Sequence, residues 1–370
     1  METNNTPSKV ALLENKVGQQ EIAQQASDIT VEQLALGKRL LNWRTIIPLA
    51  IVFVALFIFA QKAHINVQQT WAAVSHANLL YFVAAFGIYY LSFALRAARW
   101  QLLLENAGFT KANGAPLPKF AKLVEIIYIS FFANAIVPAK LGDLYRAYLL
   151  RKEVGGATTA RSFGTVVAER LLDLIVLLLL FIPAILVSLH KKLPSQLLLS
   201  LELLLAAVVV GVAVLFVLGL ARDRIAQLIP PRFREHYYHF HAGTLGSLRR
   251  LPILTVQTVA VWLCEALRFF FVALSLNLIP GSLLHGLAAS TFIGLGVALL
   301  TIVPATGGGI GLVEGGIVAM LALFSQGPNT ANLTAAAIIL ERSITLFSVL
   351  AFGLPIFLLT FGRKAAKQAG

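Results

Sequence analysis

The segment Thr301–Gly316, TIVPATGGGIGLVEGG, restricts the fold more than any other part of the chain. It lies in a strongly apolar region, yet it cannot form a continuous helix. Pro304 removes a backbone hydrogen-bond donor, and the glycines of Gly307–Gly309 lower helix propensity sharply. Backbone groups left unpaired by such a break are not tolerated in contact with lipid. The sequence therefore predicts a broken helix that is buried in protein or lines a wet cavity.

Composition identifies the class of protein. The chain has 370 residues, of which 58% are hydrophobic and 13% are charged, and its mean hydropathy is +0.79. Soluble domains average about 25% charged residues, so we predict an all-α, polytopic integral membrane protein. The formal charge of +13 is explained by basic cytoplasmic loops, and we expect no nucleic-acid partner.

Hydropathy predicts about six full spans. They cover residues 45–61, 79–95, 162–187, 197–220, 251–278 and 333–361. Basic residues flank the first and the last span, which places both chain termini in the cytoplasm. The sequence thus divides into a polar tail (1–41), a transmembrane domain (42–362) and a short basic tail (363–370).

Two further apolar segments predict re-entrant hairpins. Residues 120–137 end at Pro138 and are followed by basic residues, so the chain returns to the side from which it came. Residues 285–303 end at Pro304, and residues 312–324 lead back. Charge bias places the first hairpin on the cytoplasmic side and the second on the external side.

The two hairpins belong to an internal repeat. The sequence IVPA occurs at residues 136–139 and again at 302–305. Each copy is followed by a short amphipathic segment and then by a span with adjacent charges, Glu169-Arg170 or Glu341-Arg342. Opposed hairpins in an inverted repeat are typical of transporters. The alternative is a duplication without any role in transport.

Charges within the spans need partners, because one at a helix centre costs about 2.5–3.5 kcal/mol. Glu169 and Asp173 share a helix face, whereas Arg170 points about 100° away. We therefore expect each Glu-Arg pair to bind other helices, most simply through a cross-pair between the two repeats. Glu265 and Arg268 can pair within one helix. The alternative role for all these charges is to fix the helix bundle.

The glycine run suggests an anion site, because successive backbone N–H groups near a helix start can bind anions. Glu314 would repel phosphate there unless it pairs with a base or carries a proton. A close packing of helices through Gly311 and Gly315 is the alternative. The histidines of the sequence REHYYHFH, residues 234–241, fit an interfacial anchor better than a metal site. No catalytic motif is present, so we expect no enzyme, no metal and no cofactor.

Several of these motifs resemble the flippase-like integral membrane domain of the lysylphosphatidylglycerol synthases. The resemblance covers residues 42–362 and is carried by the following segments: RAARW (96–100), NAIVPAKLGDLYR (134–146), ERLLD (169–173), VPATGGGIGLVEGG (303–316) and ER (341–342). In that family a proline more often stands where this chain has Gly307.

The resemblance implies movement of an anionic phospholipid or lipid-linked headgroup between membrane leaflets, in a bacterial cytoplasmic (inner) membrane. Membrane lipids are then the expected partners. A homo-oligomer and an association with a lipid-synthesising enzyme are both compatible with the sequence. The synthases append a soluble aminoacyl-transfer domain, which this chain lacks, so lipid synthesis is not expected.

Our hypothesis assigns the substrate to a polar cavity between the hairpins. Cations near the cytoplasmic boundary would attract phosphate, and the charges within the spans would be the gating charges of the cavity. Glu314 and the glycine run would contact the headgroup. The predicted site comprises Arg96, Arg99, Lys140, Asp143, Arg146, Glu169, Arg170, Asp173, Gly307, Gly308, Gly309, Glu314, Glu341 and Arg342. The alternatives are a proton-coupled transporter of a small solute, using Asp173 or Glu314, and a non-transporting partner of a lipid-modifying enzyme.

Overall fold

The computed structural model describes residues 65–137, 140–189, 195–278, 282–301, 307–324 and 329–368. The polar tail (1–41), the first predicted span (45–61), Pro138 and Pro304 lie outside these ranges. Regular structure in the described ranges is helical, which confirms the predicted all-α class.

The helices are numbered in chain order. They are α1 Val67–Ser75, α2 Leu79–Asn106, α3 Phe120–Ile136, α4 Leu141–Glu153, α5 Thr159–Ser188, α6 Ser195–Leu220, α7 Arg222–Leu228, α8 Pro231–Ser247, α9 Leu251–Ser275, α10 Leu283–Leu300, α11 Leu312–Leu321, α12 Thr330–Arg342 and α13 Ser348–Gln368. Short 3-10 turns lie at Lys111–Asn113 and Gly307–Gly309. A π-helical turn, Ser343–Phe347, joins α12 to α13.

Polar side chains define where the long helices begin. Asn78 accepts hydrogen bonds from the first backbone N–H groups of α2, Thr158 does so for α5, and Ser282 does so for α10. These groups have no partner within the helix, so each cap stabilises its helix start by about 1 kcal/mol.

Within the described residues, five stretches are long and apolar enough to cross a membrane: α2, α5, α9, α10 and the continuous run from α12 into α13. The helices α6 and α7 meet at a bend of 88° and add a sixth if the pair counts as one span. We predicted that α10 is one arm of a re-entrant hairpin, and this stays a prediction. With 18 residues, α10 is long enough to cross.

Both broken segments fold back on themselves. In α3 and α4, the N–H group of Gly142 donates to the side chain of Asn134 at 2.8 Å. A side chain at Gly142 would collide with the carbonyl of Ser130, so α4 packs directly on α3. In α10 and α11, Gly296 lies against Met320 and Gly316 lies against Leu300. The second pairing is antiparallel, because later residues of α10 contact earlier residues of α11.

The two breaks meet each other inside the bundle. A Cβ atom built on Gly307 would lie 2.9 Å from the carbonyl oxygen of Ile136 and 3.0 Å from that of Ala135. Gly308 and Gly309 have φ angles of 61° and 66°, a conformation that glycine adopts without strain. Glycine therefore allows the second break to turn tightly against the end of α3.

The region between α6 and α9, which connects the predicted spans 197–220 and 251–278, is largely helical. Its helix α8 starts with Pro231 in the first turn, where the missing N–H group has no cost. Close contact between Gly164 of α5 and Gly243 of α8 lets the two backbones touch. In this region Nε2 of His241 lies 3.0 Å from the carbonyl oxygen of Leu218.

Replacing Gly142 by alanine should loosen the α3–α4 pair. The added Cβ atom meets backbone, which cannot move aside, so we expect the free energy of unfolding to fall by about 1–3 kcal/mol. Denaturant unfolding in detergent micelles would measure this. Gly87→Ala in α2 is the matched control, because nothing lies within 4 Å of that position. Equal stabilities for the two variants would contradict the close packing of α4 on α3.

Candidate functional site

Arg99 of α2 is the centre of the first group of buried charges. Its guanidinium donates to Glu169 at 2.8 Å and to Asp173 at 2.6 Å, both on α5. Glu169 also accepts from Arg146 of α4 at 2.8 Å. The side chains of Arg99 and Arg146 are 0% and 2% exposed, so they face the protein interior rather than lipid headgroups. The predicted common face of Glu169 and Asp173 is confirmed, since both bind Arg99.

Arg170 of α5 is the third arginine of this group and does not bind Glu169. It donates to Asp143 of α4 at 2.7 Å and to Asp173 of its own helix at 3.3 Å. The contact with Asp143 is bidentate, because Nε and Nη2 both reach the carboxylate. Such a fork holds two helices in a fixed orientation as well as close together. Arg170 thereby connects the return helix α4 to α5.

A second group connects α2, α9 and α12. Arg96 of α2 donates to Glu265 of α9 at 2.7 Å, and Glu265 also accepts from Arg268 at 3.0 Å. Arg268 in turn donates to Glu341 of α12. The predicted pairing of Glu265 with Arg268 is confirmed, although each has an additional partner on another helix.

Arg342 forms the third group at the glycine turn. Its Nε donates to Glu314 of α11 at 2.7 Å, while Nη1 and Nη2 donate to the carbonyls of Gly308 and Gly309 at 2.9 and 3.1 Å. The other oxygen of Glu314 accepts from the N–H group of Gly311 at 2.6 Å. One arginine therefore binds both the turn and the helix that follows it.

This arrangement changes the predicted role of the glycine run. The carboxylate of Glu314 accepts a hydrogen bond from the N–H group of Gly311, and Arg342 donates to two glycine carbonyls. The polar groups that we assigned to a headgroup are therefore hydrogen-bonded to side chains of the protein itself. At Gly315 the alternative of close helix packing is wrong. Nothing lies within 4 Å of a Cβ atom at Gly315, and the neighbouring Gly316 makes the close contact instead.

The internal repeat is visible in these contacts. Asp143 is the third residue of α4 and binds Arg170; Glu314 is the third residue of α11 and binds Arg342. In each copy, then, an acid in the first turn of the return helix binds the arginine of the Glu-Arg pair. A carboxylate is favourable there, because the start of a helix carries partial positive charge.

The predicted cross-pair between the two Glu-Arg sequences is wrong. Each arginine binds the return helix of its own copy, as Arg170 and Arg342 show. The halves are linked instead by Arg96 and Glu265, on α2 and α9. A sequence pattern shows that a charge needs a partner but does not show which neighbouring helix supplies it.

A cavity of about 300 Å³ lies between the two breaks. Its volume is in the range of small-molecule sites. Helices from both halves contribute to its wall, and the π-helical turn after Arg342 forms part of it through Thr345 and Leu346. Single π-helical turns occur frequently at functional sites. The charged residues of the wall are Arg96, Lys140, Arg170, Asp173, Glu265, Arg268, Glu341 and Arg342.

Several wall residues were absent from the predicted site. Glu265 and Arg268 were visible as charges within a span, but their spacing suggested a closed pair. Trp262 and Tyr89 gave no signal, because aromatic residues are common in apolar helices. Conversely, Arg99, Arg146, Glu169, Asp143 and Glu314 are not part of the wall. Each of these five side chains binds a residue of the cavity wall or another of the five.

Lys140 differs from the arginines of the wall. No carboxylate of the described residues lies within ion-pair distance of its ammonium group. It lies in the break between α3 and α4 with φ 51°, a left-handed conformation that is uncommon outside glycine.

Comparison with known proteins identifies the family. The family model of the lysylphosphatidylglycerol synthase transmembrane region matches residues 46–362 of this chain. The chain belongs to this family. The resemblance drawn from the sequence motifs is thereby confirmed, and it extends across the charge groups and both breaks.

Several relatives are similar to this chain over most of their own length. A UPF0104 membrane protein of Methanocaldococcus jannaschii is 33% identical over 228 residues, which cover 61% of this chain and 93% of the relative. Another, from Pyrococcus horikoshii, is 22% identical over 311 residues, which cover 76% of this chain and 87% of the relative. A third, from Methanothermobacter thermautotrophicus, is 23% identical over 330 residues, which cover 81% of this chain and 89% of the relative. All are named membrane proteins, which agrees with a multi-pass chain.

Proposed function

We propose that this protein moves an anionic phospholipid, or a lipid-linked headgroup, between the leaflets of a cytoplasmic membrane without catalysing a reaction. The observation that carries the proposal is the charged cavity between the two broken helix pairs. An apolar bundle has no structural need for a polar space of this size, since buried charges are costly. Broken helices around a central polar site are typical of proteins that move a substrate across the bilayer.

The charge of the cavity favours an anion. Five cations and three carboxylates form its wall, and the carboxylates are already bound by arginines. A phosphate group would therefore enter a positive field, and Lys140 offers it an ammonium without a competing carboxylate. The acyl chains would remain in the bilayer, because the cavity is large enough only for a headgroup.

The two halves of the repeat differ in a way that suits transport. The side chain of Arg170 is 35% exposed, whereas that of Arg342, its equivalent in the second copy, is 7% exposed. We take this difference to mean that the cavity is open on the side of α4 and closed on the side of α11. We assign both breaks to re-entrant hairpins, and we place the open side in the cytoplasm because of its basic flanks. Transport also requires a second conformation, in which the cavity is closed on the side of α4 and open on the side of α11.

A cavity-filling substitution tests this proposal. Ala298 lies in the cavity wall, so Ala298→Trp should obstruct the headgroup and reduce leaflet exchange by about tenfold or more. The measurement uses purified protein in liposomes with a fluorescent label on the acyl chain, quenched chemically from outside. Ala213→Trp on the exposed face of α6 is the matched control and should exchange at the wild-type rate.

Other outcomes favour other functions. If folded wild-type protein exchanges no anionic lipid, lipid translocation is wrong, and proton-coupled uptake of a small solute is the next activity to assay. If exchange occurs and Ala298→Trp leaves it unchanged, the lipid does not pass through the cavity. A non-transporting partner of a lipid-modifying enzyme would lose its effect through surface substitutions rather than through Ala298.

A further inference from the structure

A second cavity, of about 420 Å³, lies where α2 ends and α9 begins. Its wall is formed by the last residues of α2, by the segment that follows them and by Arg250, and we call it the α2–α9 cavity. It shares no wall residue with the cavity between the two breaks, the central cavity. Arg96 of the central cavity and Asn106 of the α2–α9 cavity are separated by about 15 Å along α2. The two cavities are therefore distinct sites.

Hydrogen bonds hold the wall of the α2–α9 cavity in place. The side-chain amide of Asn106 donates to the carbonyls of Ser247 and Arg249, at 3.0 and 2.6 Å. These bonds attach the connection between α8 and α9 to the end of α2. In the segment after α2, the side chain of Asn113 donates to the carbonyl of Gly108 at 2.9 Å. The cavity is therefore a fixed part of the fold.

Two cations of this wall have no internal partner. No carboxylate of the described residues lies within ion-pair distance of Lys111 or Arg250. Both residues are exposed, so a ligand can reach them from the solvent or from the membrane surface. The half-buried Thr110 lies beside them in the wall, and its hydroxyl makes no capping bond to the turn that begins at Lys111. This hydroxyl can donate to the same ligand.

The backbone of Arg250 supports a binding role for its side chain. Its φ angle is 57°, a left-handed conformation that is uncommon outside glycine. Residues in such conformations persist where neighbouring contacts hold them, and they occur often at ligand sites. The bonds from Asn106 provide those contacts here. Glycine would adopt this conformation without strain, so the arginine at this position is better explained by what its side chain binds.

The position of the α2–α9 cavity indicates the class of ligand. Both α2 and α9 are long enough to cross a membrane, so the cavity at their ends lies at the level of the lipid headgroups. Basic residues assign this side to the cytoplasm. Basic pockets between spans at that level bind phosphate-bearing headgroups. A phosphate group can accept hydrogen bonds from both cations and from the hydroxyl of Thr110.

We infer that the α2–α9 cavity binds a phosphate group through Lys111, Arg250 and Thr110, apart from any substrate of the central cavity. The phosphate belongs either to a lipid headgroup or to a soluble compound. Glu105 lies in the same wall, accepts from Gln101 at 2.9 Å and forms no ion pair with either cation. Its carboxylate repels an anion and therefore limits the affinity. The inference does not depend on the proposed function.

Hydrogen exchange with bound ligand tests the inference, because it reports on each cavity separately. Inorganic phosphate or dihexanoyl phosphatidic acid is titrated into purified protein in neutral detergent, with potassium chloride of equal ionic strength as the reference. The peptides that cover residues 105–117 should exchange more slowly as phosphate binds. Protection by the lipid at a tenfold or more lower concentration than by inorganic phosphate would assign the site to a headgroup. Protection at similar concentrations would assign it to a soluble compound.

Three variants of the wall and one control make the result specific. Lys111→Gln and Arg250→Gln should each weaken binding by about tenfold, because each removes a charged donor. Glu105→Gln should strengthen binding by about threefold, because it removes a like charge and keeps a side-chain oxygen for Gln101. Arg224→Gln, at an exposed position of α7 outside the wall, should bind like wild type.

Several outcomes would overturn the inference. They are unchanged exchange of residues 105–117 with both compounds, equal protection by potassium chloride, and wild-type binding by Lys111→Gln. Protection confined to residues 134–146 would place phosphate in the central cavity alone and would also overturn it. Leaflet exchange tests the proposed function independently, so a protein that exchanges lipid but shows no protection at 105–117 would retain that function and lose this site.

Discussion

Replacing Glu169 by glutamine should destabilise the protein more than any other single change at the carboxylates of α5. Glu169 is 2% exposed and binds two arginines, Arg99 and Arg146. The substitution leaves Arg146 without its ion-pair partner among the described residues, and the new amide presents N–H groups to cations. Removing one partner of a buried pair typically costs about 3–5 kcal/mol. We expect that loss in the free energy of unfolding, measured by denaturant titration in detergent micelles.

Two further variants make this result specific. Glu235→Gln, on a side chain of α8 that is 84% exposed, should change stability by less than about 1 kcal/mol. The double variant Glu169→Leu with Arg146→Met removes a charge of each sign and leaves Arg99 bound to Asp173. It should therefore be more stable than Glu169→Gln. A double variant that is less stable would contradict the view that an uncompensated charge causes the loss.

The sequence predicted which residues matter better than how they are arranged. Periodicity and charge bias identified most spans, and the IVPA repeat identified both breaks, because these features depend on the residues of one segment. The partners of the charges depend on which helices become neighbours. Arg99 and Arg146 therefore looked like cations for phosphate, although both bind carboxylates inside the bundle.

The glycine run shows a second limit of prediction from sequence. Its composition required a tight turn, and Gly308 and Gly309 adopt one. The same composition suggested a free anion site, which would exist only if no internal group reached the turn. Glu314 is only three residues from Gly311, whereas Arg342 is distant in the chain. Only the structure shows that this arginine closes the turn.

Replacing Arg342 should release that turn. Arg342→Ala removes the partner of Glu314, which is 8% exposed, and two donors to glycine carbonyls. We expect a loss of about 3–5 kcal/mol in the free energy of unfolding. Arg342→Lys keeps the charge but cannot reach Glu314 and both carbonyls, because a lysine lacks the planar fork. Its loss should be smaller, about 1–3 kcal/mol.

Amide hydrogen exchange, followed by mass spectrometry, locates the effect of these variants. In Arg342→Ala the peptides that cover residues 307–316 should exchange faster than in wild type, because the turn loses its only arginine contact among the described residues. Arg224→Ala, at an exposed position of α7, is the matched control and should leave exchange unchanged. If Arg342→Ala exchanges like wild type at the turn, other contacts hold it. The pairing of Arg342 with Glu314 would then contribute to the charge balance of the cavity but not to the shape of its closed side.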